Sequence, residues 1–213
     1  MSARTERVLI AGRSGSVLVD AVKLLRDRGC GANATNQFDT LLDDYDMREV
    51  DLVIFGGMVP PDKKERLQAE IRTLNPQMKF MQGLGGIAPL LVAQVEELFG
   101  GGAGGVEYDA GARAFRVTLT VAAPVMVHAL WATFVPPEPV GHSAVAFDGE
   151  LAAGAHKIAI PDEVPRLGTY AVVRIEGRVS AFQIGETPES IKRIAAAQTL
   201  PAPEHVTTRF PWE

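Results

Sequence analysis

Three short glycine-rich segments, at positions 12–16, 56–61 and 83–86, contain the residues best suited to hold a ligand. Each follows an apolar run and leads into a helical pattern. Glycine lets a backbone approach a ligand closely, and the free N–H groups at a helix start favour anions such as phosphate or carboxylate. The predicted ligand-binding residues are Gly12, Arg13, Ser14, Gly15, Ser16, Gly56, Gly57, Gly83, Gly85 and Gly86. The alternative is that tight strand-to-helix turns need glycine with or without a ligand.

The residues that could perform covalent or metal chemistry form no recognisable set. Ser14 lacks an identifiable base, and the sequence has no Gly-x-Ser-x-Gly elbow. The histidines have no close ligand spacing, so no metal site is predicted. His128, in an apolar strand beside Trp131, is expected to be a packed histidine or a residue of the strand's surface face rather than a ligand. His142 is expected on a loop, where it would be the histidine to mutate for function. The catalytic residues therefore stay unknown, and the residues leave open whether the chain is an enzyme.

Composition narrows the classes of partner. A formal net charge of -5 and a pI near 5.5 argue against a nucleic-acid-binding chain, which usually carries a basic stripe. No apolar stretch reaches the length of a membrane span. Cys30 is the single cysteine, so an intramolecular disulfide is excluded. We therefore expect a cytoplasmic protein without membrane or nucleic-acid partners.

The first half of the chain alternates between strand and helix patterns. Strands are predicted at 7–11, 32–36, 51–55 and 78–81, and helices after residue 15, at 38–48, after residue 61 and at 87–99. Asp62 with Glu65 is similar to a capping box at the start of the third helix. Alternation at this spacing predicts a parallel sheet with right-handed crossovers. The glycine-rich turns would then share one edge of the sheet, where open α/β sheets bind ligands.

The second half has a period of two instead. It is clearest where Phe115, Val117 and Leu119 alternate with polar residues. Further strands are predicted at 106–108, 125–134, 143–147, 156–160, 169–176 and 178–184, with turns at 148–149 and 177. These short strands predict an antiparallel β-sandwich.

The predicted organisation therefore has four parts: an α/β domain at 1–99, a glycine-rich hinge at 100–105, a β-sandwich at 106–186, and a C-terminal segment at 187–213. That segment should begin with a short helix at 187–197. Its last residues include Phe210 and Trp212, and exposed aromatic residues in a free tail would be unusual. We expect them to dock on the α/β domain or on a second subunit.

The run from Asp51 to Pro60 resembles the third strand and following loop of response-regulator receiver domains. Gly56 occupies the position of the phosphorylated aspartate in that family. Ala11 and Gly12 stand where receivers carry an acidic pair that holds a divalent cation. The resemblance implies a pseudo-receiver, which works through shape or a ligand rather than through phosphorylation.

The run from Val8 to Gly15 resembles dinucleotide-binding Rossmann domains, including those of short-chain dehydrogenases. Gly12 and Gly15 match two of the three fingerprint glycines, and Leu18 stands at the third. Asp39 lies roughly where a ribose-binding acid would lie, although a helix cap also explains it. The resemblance implies binding of a nucleotide or NAD(P). None of the three tyrosines has the lysine four residues later that short-chain dehydrogenases need: Tyr45, Tyr108 and Tyr170 are followed there by Glu49, Ala112 and Arg174.

The second half resembles immunoglobulin-like or fibronectin type III domains, through Trp131 within a strand and the run 167–170 before a tyrosine corner. Such domains usually serve as spacers, interaction surfaces or oligomerisation modules, so the resemblance implies protein association. The sequence thus predicts a non-catalytic or accessory protein whose α/β domain binds a nucleotide or another small anionic ligand, or has lost that ability. It would associate with a protein partner or with itself through the sandwich and the C-terminal tail. The alternatives are an NAD(P)-dependent oxidoreductase with an atypical active site and a purely structural or partner-docking protein.

Overall fold

The structure, a computed structural model, describes residues 5–135, 138–186, 204–210 and 212. Its contacts divide the chain into two compact units. The first contains residues 5–88, Glu138 and the described residues from 204 onward, and the second contains residues 89–135 and 139–186. The predicted helix at 187–197 lies outside the described residues. No helix in the described ranges is long and apolar enough to cross a membrane.

The first unit is built on a four-stranded parallel sheet, which confirms the predicted α/β class. The strand order is β2-β1-β3-β4. The elements are β1 (Arg7–Ala11), α1 (Gly15–Arg26), β2 (Gly31–Thr35), α2 (Leu41–Asp44), β3 (Leu52–Phe55), α3 (Pro61–Leu74) and β4 (Lys79–Gln82). Strands β1 and β3 are apolar and almost fully buried, as expected for a sheet that is covered on both faces.

Two local predictions in this unit were wrong. The helix expected at 38–48 is only the single turn α2, because Tyr45 adopts an extended backbone and directs its hydroxyl group to the carbonyl of Ala34. The capping box of Asp62 and Glu65 does not form. Helix α3 begins earlier, at Pro61, with Pro60 at the N-cap position and no side-chain cap, since proline suits the first helical turn. Asp62 lies in that turn, where a carboxylate complements the helix dipole.

The second unit begins with helix α4 (Ala88–Gly100), of which Ala88 is assigned to the first unit, and continues as antiparallel strands. The strands are β5 (Val106–Asp109), β6 (Ala114–Leu119), β7 (Ala123–Val135), β8 (Glu138–Leu151), β9 (Gly154–Ala159), β10 (Thr169–Ile175) and β11 (Arg178–Gln183). The first residue of β8, Glu138, is assigned to the first unit. They form one sheet in the order β11-β10-β7-β8 and another in the order β5-β6-β9. The antiparallel β-rich unit predicted from the period of two is thus confirmed.

Both sheets contribute side chains to one apolar core. Phe115 and Val117 enter it from β6, Val127 from β7, Ile158 from β9 and Val173 from β10. Along β6, β7 and β9 most neighbours of these residues are exposed or polar, so each of these strands buries mainly one face, whereas β10 is buried on both faces. Helix α4 packs on these strands, because Glu96 accepts a hydrogen bond from Arg174 of β10 (2.6 Å) and Glu97 accepts one from the N–H of Ala181 of β11 (3.1 Å).

One predicted turn formed and the other did not. Glu176 and Gly177 have φ values of 50° and 82°, and this left-handed geometry makes the tight turn between β10 and β11. Strand β8, in contrast, runs straight through the turn predicted at 148–149. A Cβ atom on Gly149 would lie 3.5 Å from the ring of Phe147, an ordinary contact distance, so packing does not require glycine at this position.

Candidate functional site

The three glycine-rich turns lie at one edge of the parallel sheet. The N–H of Gly12 donates to the carbonyl of Thr35 (3.1 Å), that of Gly56 to Ala11 (2.8 Å) and that of Gly83 to Phe55 (2.8 Å). Each bond extends the strand ladder by one residue at the carboxyl ends of the strands. The topology therefore brings the turns to the edge that the sequence predicted, and their role as ligand contacts stays a prediction.

The N-terminus of α1 already holds a carboxylate. Oε1 of Glu138 accepts a 2.7 Å hydrogen bond from the N–H of Gly15, and Oε2 accepts a 3.1 Å bond from the N–H of Ser16. Ser14, at the N-cap position, makes no side-chain cap. Glu138 therefore takes the place of the missing cap, and the helix dipole favours its negative charge. Sequence reasoning missed this residue because it lies far from α1 along the chain.

Close packing explains several of the predicted glycines. A Cβ atom on Gly12 would lie 3.2 Å from the Leu18 side chain, and one on Gly15 would lie 3.0 Å from Val206. A Cβ atom on Gly56 would lie 3.2 Å from the Cα atom of Gly12, so the first two turns are in contact. These distances are shorter than most real contacts of a Cβ atom, and a larger residue would need its neighbours to shift.

The remaining predicted residues differ in exposure. Arg13 is half-buried, Ser14 is buried and Ser16 is exposed. Gly57 is exposed and would have open space around a Cβ atom. Gly85 and Gly86 have φ values of 67° and 59°, which few other residues adopt. The backbone of the third turn therefore requires glycine for its own conformation.

The C-terminal segment lies along β2. Thr207 pairs with Thr35 in an antiparallel bridge. The N–H of Asn36 donates to the carbonyl of Val206 (3.0 Å), and the N–H of Thr208 donates to the carbonyl of Ala34 (2.9 Å). The segment thus pairs with the edge of the sheet through one isolated bridge and the main-chain bonds beside it, and its Val206 lies beside Gly15 at the N-terminus of α1.

Buried polar side chains of the α/β unit fix the segment. Asn33 donates to the carbonyl of Phe210 (3.1 Å) and accepts from its N–H (2.9 Å). The hydroxyl group of Tyr45 donates to the carbonyl of Thr208 (2.6 Å) or Ala34 (3.1 Å). Burial raises the pKa of Tyr45 to about 12, so the group stays protonated as a donor. The polar residues of β2 are unusual for a buried parallel strand and were the available sequence signal for this contact.

Cationic side chains hold the end of the segment. The guanidinium of Arg26 lies 4.4 Å from the centre of the Phe210 ring, and that of Arg7 lies 5.9 Å from the Trp212 ring. Arg209 pairs with Asp44. A hydrogen bond from Thr40 and the charge of Arg209 lower the pKa of Asp44, although burial opposes them. The two tail aromatics are therefore packed against cations.

Asp39, the candidate ribose-binding acid, is engaged elsewhere. Its carboxylate forms an ion pair with Lys63 (2.6 Å) and a longer one with Arg66 (3.4 Å). The hydrogen bond from Lys63 is the largest cause that lowers the pKa of Asp39. In this structure the carboxylate thus binds helix α3 of its own unit.

The prediction that His142 lies on a loop was wrong. It lies in β8, where its ring stacks on Trp131 with 5.5 Å between centres and its Nε2 atom lies 2.8 Å from the Thr133 hydroxyl oxygen. Strand β8 begins at Glu138, four residues before His142, and pairs with β7. Among the described residues, no group of three or more histidine, cysteine or acidic side chains could hold a metal ion.

The second unit has a concavity of about 460 Å³ on the outer face of the sheet β5-β6-β9. Glu107, Arg116 and Lys157 form one row across the three strands at its rim. Arg116 is paired with Asp109 at 2.6 Å, so positive and negative groups nearly balance there.

Comparison with protein-family models, with curated proteins and with solved structures gave no match for this chain. The functional interpretation therefore depends on the geometry of the two units.

Proposed function

We propose that this chain is a non-catalytic accessory protein that binds a nucleotide or another small anionic ligand at the turn 12–16 and associates with protein partners through its antiparallel unit. The contact of the Glu138 carboxylate with the N–H groups of Gly15 and Ser16 is the main support. In this contact the N–H groups of Gly15 and Ser16 point toward a position that a carboxylate or phosphate oxygen can occupy. An external anion would use the same donors and displace Glu138.

The receiver and Rossmann resemblances support the same position, since in such folds ligands bind at the carboxyl edge of the sheet. The proposal takes the α/β unit to be Rossmann-like or pseudo-receiver-like. Gly57 and Ser16 are exposed at this edge and would line the ligand. Arg13, half-buried beside them, would supply positive charge.

The antiparallel unit, which we take to be immunoglobulin-like, would supply the association surface. Strand β8 is an edge strand, and its Val140 and Val145 side chains are 47% and 58% exposed. Edge strands with exposed apolar residues are sites at which another chain readily pairs. A Val145→Lys variant should therefore lose partner or self-association in analytical ultracentrifugation, and unchanged association would place the surface elsewhere.

Thermal unfolding tests the ligand-binding part. Wild type and Glu138→Gln would be heated with inorganic phosphate, adenine and guanine nucleotides, and oxidised and reduced pyridine nucleotides. A ligand at about a hundred times its dissociation constant stabilises the folded state by roughly 2.7 kcal/mol, which raises the midpoint by several degrees. Glu138→Gln should respond more strongly than wild type, because its internal competitor has lost its charge.

A matched control is Glu150→Gln, which removes an exposed carboxylate from the same strand, β8. It should respond as wild type does. If no anion stabilises any of the three proteins, the ligand-binding proposal is wrong.

A further inference from the structure

The C-terminal segment and the edge of β2 form a complementary pair within one chain. Strand β2 is the terminal strand of the parallel sheet. Its outer edge is occupied by the segment through the bridge of Thr35 and Thr207 and the main-chain bonds on both sides of it. Strand addition of this kind is a common mode of peptide recognition.

The edge is built to accept an extended strand. Asn36 donates to the carbonyl of Glu204 (2.6 Å) and accepts from the N–H of Val206 (2.9 Å), while Asn33 makes the same pair of bonds with Phe210. Asn33 and Asn36 are only 2% and 7% exposed. Buried amides need hydrogen-bond partners, so the edge is incomplete without a strand.

The side-chain contacts match this particular sequence. Asp44 binds Arg209, Arg26 covers the ring of Phe210, and Arg7 lies over the ring of Trp212. Arg7 also lies within 3.5 Å of the carbonyl oxygen of Trp212, as a hydrogen-bond donor. The C-terminal segment therefore matches this edge in its side chains as well as in its main-chain bonds.

We propose that the β2 edge accepts the C-terminal segment of a second copy, so that two copies exchange their segments. All the contacts above join residues 7–45 to residues 204–212, and they form equally whichever copy supplies the segment. The segment is linked to the rest of its chain through residues 187–203, a connection that can span up to about 60 Å when extended. A β2 edge that has released its own segment can thus bind the released segment of another chain, and this is the condition for exchange.

The connection also favours a chain's own segment, because linked groups have an effective concentration in the millimolar range. Exchange should consequently increase with protein concentration during folding. It does not depend on whether the turn 12–16 binds a ligand, so the two proposals can fail separately.

Mixed disulfide formation between two single-cysteine chains tests the exchange. The hydroxyl oxygens of Thr35 and Thr207 are 3.0 Å apart, so cysteines at these positions would be adjacent. One chain would carry Cys30→Ser and Thr35→Cys, and the other would carry Cys30→Ser, Thr207→Cys and a larger tag. The chains would be refolded together at increasing concentration, oxidised and separated on a non-reducing gel. The expected result is a mixed disulfide whose yield rises as the protein approaches about 1 mM.

The control replaces Thr35→Cys with Thr73→Cys, an exposed position on α3. A mixed disulfide no more abundant than in this control, at every concentration, would overturn the proposal. A chain that carries both Thr35→Cys and Thr207→Cys should form its internal disulfide at low concentration. Absence of any disulfide in that chain would overturn the proposal as well, because it would show that the segment does not lie on β2.

Discussion

The Glu138 carboxylate lies 2.7 Å from the backbone nitrogen of Gly15, and the two residues are 123 positions apart in the sequence. An acid from the start of β8 thus caps helix α1, whose own N-cap residue, Ser14, provides no side-chain bond. This contact connects the predicted anion site with the stability of the α/β unit.

Glu138→Gln should destabilise the protein by about 0.5–1 kcal/mol, the usual contribution of a charge at a helix N-terminus. The amide oxygen can still accept one hydrogen bond, but the negative charge is lost. Urea unfolding monitored by circular dichroism measures the difference. Glu150→Gln is the control with an exposed carboxylate on the same strand, and equal stability of the two variants would contradict the capping role.

Tyr45→Phe should cost about 1–2 kcal/mol of stability, because the carbonyl of Thr208 loses the hydrogen bond that the Tyr45 hydroxyl group donates. The carbonyl of Ala34 keeps its bond from the N–H of Thr208. Tyr170→Phe is the matched control: Tyr170 is also buried, and its pKa is raised by burial alone. Urea unfolding should show that Tyr170→Phe lowers the free energy of unfolding by less than Tyr45→Phe does. A larger decrease for Tyr170→Phe would mean that the Tyr45 hydroxyl group does not hold the segment.

The stability contributed by Tyr45 should disappear at high pH. The pKa of this group is about 12 in the folded protein and about 10 in an unfolded chain, so the folded state binds the proton more tightly. Its contribution is therefore complete below about pH 10 and is lost as the pH rises through about 12. The stability difference between wild type and Tyr45→Phe should shrink over this interval. A difference that stays constant through it would show that Tyr45 has an ordinary pKa.

The ion pair of Arg174 and Glu96 should stabilise the packing of α4 on β10. Its atoms are 2.6 Å apart, and the side chains are 28% and 24% exposed. The pair of Arg116 and Asp109 has the same length, but Arg116 is 66% exposed, so solvent should weaken that pair. Double-mutant cycles would replace each arginine by glutamine and each acid by its amide. The coupling free energy should be about 1 kcal/mol for the pair of Arg174 and Glu96 and smaller for the pair of Arg116 and Asp109. The reverse order would mean that burial does not decide the strength of these pairs.

The sequence predicted the elements that have a strong period and missed the contacts between distant residues. The apolar strand β1 and the amphipathic helix α1, with Leu18 and Leu25 on its buried face, were evident from periodicity. The turn at Gly177 was evident from its local chemistry. Helix α2 was overestimated because its end is set by Tyr45, whose hydroxyl group bonds across the fold.

In the candidate site, too, the sequence predicted what topology decides and missed the contacts between distant residues. The positions of Gly12, Gly56 and Gly83 at one edge followed from topology alone. The occupation of that edge by Glu138 and Val206 could not be predicted, because no local pattern relates residues so far apart in the sequence. Polar residues in the buried strand β2 were the one available sign that another segment lies there.

A titration of the Glu138→Gln variant with phosphate and with nucleotides, followed through the amide NMR signals of Gly15 and Ser16, decides whether the N-terminus of α1 binds anions. We expect saturable shifts of these two signals with at least one of these anions, and weaker shifts in wild type, where Glu138 competes. Signals that do not move with any of these anions, or that move equally in both proteins, would contradict the claim that the N-terminus of α1 is an anion-binding site under the control of Glu138.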